Sequence, residues 1–225
     1  MKMKIRNIAF DSCGIFCNAK RVFSVFLFAF ATSIFLYPAD VVTQKKDTKE
    51  VVFAKQLKES LSKKTIEETL QLFEKMPESM QNNTDMMILQ ASIMLSGGKF
   101  NEVSEIVTKL ERIAPENRDV SELSLIVAKV TGDKAKLNKK VQTLLASDPN
   151  NDLANIELAE ESLKVNNYKE AVSYYSKALE GNPESEDAML GLGQCYYYLV
   201  KPETSRKYLN MLLEKNEMNP EANLY

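Results

Sequence analysis

The chain has 225 residues, a near-balanced formal charge of −2, three cysteines, and neither histidine nor tryptophan. Without histidine it lacks the commonest general base near neutral pH and the commonest transition-metal ligand, and its cysteines have neither the number nor the spacing of a disulfide framework or zinc site. Residues 1–39 hold five of the 29 basic side chains and one of the 31 acidic ones, leaving 24 and 30 in residues 40–225, an acidic body that argues against nucleic acid as a partner.

In chain order, a basic segment, 1–21, leads into an uncharged run, 22–37, that contains five phenylalanines. Lys20 and Arg21 precede the run and Pro38 ends it. As a helix the run is about 24 Å long at 1.5 Å per residue, the length of a short membrane anchor or a secretory apolar region. The basic flank predicts a single-span anchor with its N-terminus in the cytoplasm and the body on the extracytoplasmic, periplasmic side. Cleavage near Ala29-Phe30-Ala31 or Tyr37-Pro38-Ala39, giving a secreted or periplasmic protein, is the alternative. Residues 38–50 are polar enough for a tether.

The stretch 51–83 reads as a helical pair, with Val52, Leu57 and Leu61 lining one helix and Ile66, Leu70, Phe73 and Met76 the next. It ends early at Pro77 and has the character of a degenerate cap. Beyond it, Pro115, Pro149 and Pro183 stand 34 residues apart. A fixed period of this size marks a solenoid, whose units bury their apolar faces only by stacking on neighbours. The units fall at 84–117, 118–151, 152–185 and 186–220, followed by a short tail at 221–225.

The third unit is the sharpest, with Leu158 and Ala159 in its first helix, Tyr168 at the turn, Ala171, Tyr175 and Ala178 in its second helix, and Pro183 at its end. The first unit matches through Ala91, Gly98, Phe100, Val107, Leu110 and Pro115, and the fourth through Leu192, Gly193, Tyr196, Leu209 and Leu212. The second diverges, carrying Leu125 and Leu137 where small residues are usual. On these residues the chain resembles the tetratricopeptide repeat (TPR) family. The resemblance implies an all-α fold, a right-handed superhelix of antiparallel helix pairs preceded by the hydrophobic N-terminal helix.

The resemblance also implies where a partner would lie, because in this family the first helices of successive repeats line a concave groove. Of the matching positions, the candidate groove residues are Ile88 and Ser92 in unit one, Glu122 and Ile126 in unit two, Ile156 and Glu160 in unit three, and Leu190, Gln194, Tyr197 and Tyr198 in unit four. Ile88, Glu122, Ile156 and Leu190 cannot form the lysine, asparagine and arginine clamp with which some TPRs hold a peptide carboxylate. An apolar groove with acidic points suits a protein or peptide that presents an amphipathic or basic segment. Asn219-Pro220 begins a further unit and stops, so the flank of unit four is a candidate for self-association.

No catalytic constellation stands out. There is no Gly-x-Ser-x-Gly or phosphate-loop pattern, and Asp148-Pro-Asn-Asn-Asp152 lacks the glycine and distal glutamate of a calcium loop. The expectation is a non-enzymatic protein without cofactor or metal, acting as a membrane-tethered scaffold. A secreted ligand-binding subunit serving a transporter is the alternative.

Overall fold

A computed structural model describes residues 48–63 and 65–224. The apolar run 22–37 lies outside them. Among the described residues no helix is long and apolar enough to cross a membrane. The chain divides into two compact units between Lys99 and Phe100. All regular structure described is helical.

The first unit contains α1 (Lys49–Lys63), α2 (Ile66–Phe73), a 3₁₀ turn (Glu78–Met80) and α3 (Thr84–Ser96). Its core gathers Phe53, Leu57, Leu70, Phe73, Met76, Met86, Leu89 and Ile93, with the rings of Phe53 and Phe73 edge to face, centroids 6.1 Å apart. The core face of α1 runs through Phe53, Leu57 and Ser60, at helical spacings of four and three. Val52, one position and so about 100° round the helix, is 40% exposed, and Ile66 is 38% exposed. Both were expected to line the core. The Ser60 hydroxyl instead bonds that of Thr69 at 2.8 Å, both buried, joining α1 to α2. Thr65 and Glu68 form a reciprocal capping box that starts α2.

The second unit contains α4 (Phe100–Ile113), α5 (Arg118–Thr131), α6 (Lys134–Ser147), α7 (Asp152–Lys164), α8 (Tyr168–Gly181), α9 (Glu186–Tyr198) and α10 (Pro202–Lys215). Consecutive helices pack on one another, and α7 also touches α9. One layer therefore contains α5, α7 and α9, the first helices of the units, and their partners α6, α8 and α10 lie outside it.

Two backbone signals set the 34-residue beat more widely than the prolines do. Asn83, Asn117, Asn151 and Ser185 each cap a first helix, accepting from the amides of Met86, Val120, Ala154 and Ala188. Asn219 does the same for Ala222 at 2.9 Å. The beat thus continues at both ends, where Pro77 and Pro220 fall out of step. At the other end of the first helices, Gly98, Gly132, Asn166 and Val200 have positive φ, from 57° to 75°. The amide after each returns to the helix carbonyl five residues earlier, at 2.8–2.9 Å, the Schellman closure that turns one helix into the next.

The Asp148–Asp152 stretch is the link from α6 to α7 and contains the cap Asn151. The Asn155 side chain donates to the carbonyls of Pro149 and Asn151 at 2.9 and 2.8 Å, and the Asp152 carboxylate accepts from Asn182 at 2.8 Å. At the C-terminal end Ala222 is buried with Met189, Leu209 and Leu212. The flank of α9 and α10 is consequently covered in part, contrary to its expected exposure. What remains is a cleft of about 370 Å³ bounded by Tyr197, Arg206, Leu209 and Leu213.

Candidate functional site

The face offered by α5, α7 and α9 is acidic. These helices carry Arg118, Lys129 and Lys164 against eight aspartates and glutamates, a net of −5. The second helices α4, α6, α8 and α10 carry eleven basic and seven acidic side chains, a net of +4. Charge is therefore sorted between the two layers. A field of this sign attracts cationic groups.

The centre of this face is an ion cluster that crosses from α5 to α7. The Lys129 ammonium pairs with Glu157 and, at 2.8 Å, with Glu160. Burial by itself would weaken the charged ammonium, but Glu160 and Glu157 outweigh it and keep Lys129 firmly protonated. Burial, with the like charge of Glu160, pushes Glu157 up against the pull of Lys129. Nearer the helix starts, Glu122 accepts from Arg118 and from the buried Asn151 amide, both at 2.8 Å.

The ten positions read as groove residues separate into three groups. Ile88, Ser92, Ile126 and Ile156 are at most 2% exposed, and the Ser92 hydroxyl is taken by the Ile88 carbonyl at 2.8 Å. They are core positions that no partner reaches, because α3, α5 and α7 bury side chains on several sides rather than along one stripe. Glu122, Glu160, Leu190 and Gln194 are half-buried on the first-helix face. Tyr197 and Tyr198 are 52% and 48% exposed.

Tyr198 stacks on Tyr168 of α8 with centroids 4.9 Å apart, and meets Tyr197 edge-on at 5.6 Å. Tyr196 turns inward and stacks on Tyr208 at 5.8 Å. Three aromatic rings thus stand together where α9 ends and α8 begins. Tyr168 and Tyr175 were read only as repeat-packing residues. The Tyr175 ring is buried against α9. Its position is set by Gly191, where any β-carbon would lie inside the Tyr175 ring tip.

Cys195 is buried, and burial pushes its thiol up to about 12, so it is an apolar packing residue rather than a reactive one. Among the described residues no group of three or more cysteine, aspartate or glutamate side chains could hold a metal ion.

Helix pairs in this order, closed by left-handed residues and stacked at a 34-residue period, make an all-helical, TPR-like fold. The tetratricopeptide repeat family model matches residues 162–224. The fold is shared with solved structures. MamA (residues 41 to the end) from Desulfovibrio magneticus RS-1 is 14% identical, with a TM-score of 0.54 over 78% of this chain and 99% of that one. PilF of Pseudomonas aeruginosa is 19% identical, with a TM-score of 0.52 over 64% of this chain and 66% of that one. Among curated proteins, the anaphase-promoting complex subunit cut9 of Schizosaccharomyces pombe is 27% identical over 117 residues, or 52% of this chain. The match spans 17% of the cut9 length.

Proposed function

We propose that this protein is a protein-interaction module that takes a basic or amphipathic segment of a partner along the α5–α7–α9 face. The observation that carries the reading is the sorting of charge, −5 on the first helices against +4 on the second. A partner segment laid there meets Glu122 and Glu160 as acidic points and ends against Leu190, Gln194, Tyr197 and Tyr198. Tyrosine gives large contact area at low entropic cost, which suits Tyr197 and Tyr198 as anchors. TPR arrays generally serve protein–protein interaction rather than catalysis, and an extended helical layer suits that use.

The proposal extends to placement. The apolar run 22–37 behind Lys20 and Arg21 anchors the chain in a membrane, with the array on the extracytoplasmic side. Tethering raises the local concentration of the array at that surface.

Photo-crosslinking from position 197 in the full chain, with position 177 on α8 as control, tests the first part. Capture of a basic segment at 197 and not at 177 is expected; equal capture at both sinks the reading. Deleting 22–37 should release the protein from the membrane fraction, and an unchanged distribution rejects the anchor.

A further inference from the structure

The turns that close α7 and α9 carry bare apolar side chains. Val165, directly after α7, is 72% exposed, and Val200, two residues beyond α9, is 84% exposed. The two turns are held side by side, because Tyr168 at the start of α8 stacks on Tyr198 at the end of α9, with centroids 4.9 Å apart. Tyr197 meets Tyr198 edge-on. Two valines and three tyrosine rings thus share one edge. The corresponding turns of the first two repeats, Gly97-Gly98-Lys99 and Thr131-Gly132-Asp133, carry no apolar side chain.

Val200 sets this edge apart from scattered apolar exposure. Its φ of 57° is a place that glycine or asparagine takes in the other repeats, and a β-branched side chain is costly there. Packing within the array does not recover that cost, since the side chain stands in solvent. Such outliers point to function, and a contact outside the chain gives valine a use at this position. The backbone of both turns is already engaged: the amides of Asn167 and Lys201 return to the carbonyls of Ser162 and Tyr196 at 2.8 and 2.9 Å. An extended peptide therefore finds no amide donor at these two positions, and neither valine lines the cleft beside Tyr197. The edge offers projecting tips and not a socket.

A bilayer surface needs no socket. Aliphatic tips outermost, tyrosine rings behind them and the exposed Lys164, Lys169 and Lys201 around them match the layers of a membrane interface. The acidic neighbours Glu161 and Glu170 are engaged by Lys164 and Asn167, and three lysines against two glutamates leave the edge net positive, which favours phosphate headgroups.

We propose that the α7–α8 and α9–α10 turns rest on a phospholipid bilayer, with Val165 and Val200 in its interfacial layer. This rests on the reading of residues 22–37 as an anchor, and deepens it by naming the edge of the array that meets the membrane. Residues 38–47 span at most about 36 Å, which keeps the array beside the bilayer. Two valines bind lipid weakly alone, and tethering supplies the local concentration. A partner segment that ends against Tyr197 and Tyr198 then ends at the membrane surface.

The test uses the full chain reconstituted into vesicles of phosphatidylcholine and phosphatidylglycerol doped with a nitroxide-labelled lipid. A fluorescent amino acid replaces the exposed Asn167, in the turn beside Val165, or Lys177 on α8 as control. Lipid quenching at 167 should exceed that at 177 several-fold, and Val165→Ser with Val200→Gly should reduce it several-fold. A thermal melt checks that the double variant is folded. Equal quenching at 167 and 177, or quenching at 167 unchanged in the folded double variant, overturns the proposal. Protection of position 167 from aqueous iodide without lipid quenching means that protein covers the edge, and also overturns it. A chain that fails to float with the vesicles rejects the anchor and the edge together, whereas flotation without quenching at 167 removes the edge and leaves the anchor standing.

Discussion

Val200 is a β-branched residue held in a left-handed backbone conformation. Its φ of 57° falls in the left-handed region, which costs a residue with a β-carbon about 1–2 kcal/mol and suits a β-branched one least. Glycine holds the equivalent places at 98 and 132 and asparagine at 166, so the strain comes from the shared turn and not from this side chain, which is 84% exposed. Val200→Gly should therefore raise stability by about 0.5–1 kcal/mol, after the entropy that glycine adds to the unfolded chain. A thermal melt that does not move upward would show that the turn is not left-handed in solution. Glu111 is the opposite case. It accepts from Ser124 at 2.7 Å and pairs with Lys136 and Lys140 at 3.0 and 2.8 Å, joining α4, α5 and α6. Burial by itself would raise its carboxyl, but hydrogen bonds from Lys140, Ser124 and Lys136 hold it down at about 2. A folded value below the unfolded one means stabilisation that is present above the ordinary carboxylate range and lost as pH falls towards 2. Glu111→Gln should lower stability by about 1 kcal/mol at pH 7, and urea midpoints of parent and variant should converge as pH drops from about 5 to about 2. A gap independent of pH would mean the glutamate acts by packing alone.

At the level of elements, helix spacing is enforced by glycine. A β-carbon on Gly193 would stand 2.5 Å from Cδ2 of Leu209, and one on Gly191 would enter the Tyr175 ring. Gly191→Ala should cost about 1–3 kcal/mol by overpacking, and adding Tyr175→Leu should restore part of it, because the shorter side chain vacates the space. Strictly additive losses in thermal melts would argue against direct contact. The helices themselves were legible in the sequence from apolar periodicity and turn residues. The face each one buries was less so. Val52 and Phe53 are both apolar, and only the company of Leu57 and Ser60 against α2 decides that Phe53 points inward. Nor was the widest signal read. The caps Asn83, Asn117, Asn151, Ser185 and Asn219 keep the 34-residue step where prolines fail, and they were visible as a series of short polar residues before each first helix.

Across the whole molecule, stability in such an array is a sum of unit and neighbour terms and not a single global property. Helix α7 packs on α6, α8 and α9, and α9 on α7, α8 and α10. Amide hydrogen exchange should be slowest in α7 and α9 and fastest in residues 217–224, where only Ala222 is buried. Uniform protection from α4 to the tail would contradict that gradient. The candidate site was legible only in outline. Family positions picked out the buried Ile88, Ser92, Ile126 and Ile156 along with half-buried and exposed residues, because an aligned position carries no information on how many sides of its helix are covered. The ion cluster needed Lys129 of α5 and Glu157 and Glu160 of α7 to be brought together across helices.

The sequence by itself determined the all-helical class, the 34-residue step and the excess of acid over base in the body, since each depends on spacing or composition along the chain. It also determined that Tyr196, Tyr197 and Tyr198 would share one helix end. Tertiary structure alone decided that Tyr197 and Tyr198 stay exposed, while Tyr196 packs against Tyr208 as its repeat position implied. It alone sorted the charges into an acidic and a basic layer. Burial and pairing are properties of contacts between helices, and those contacts form only when the array stacks.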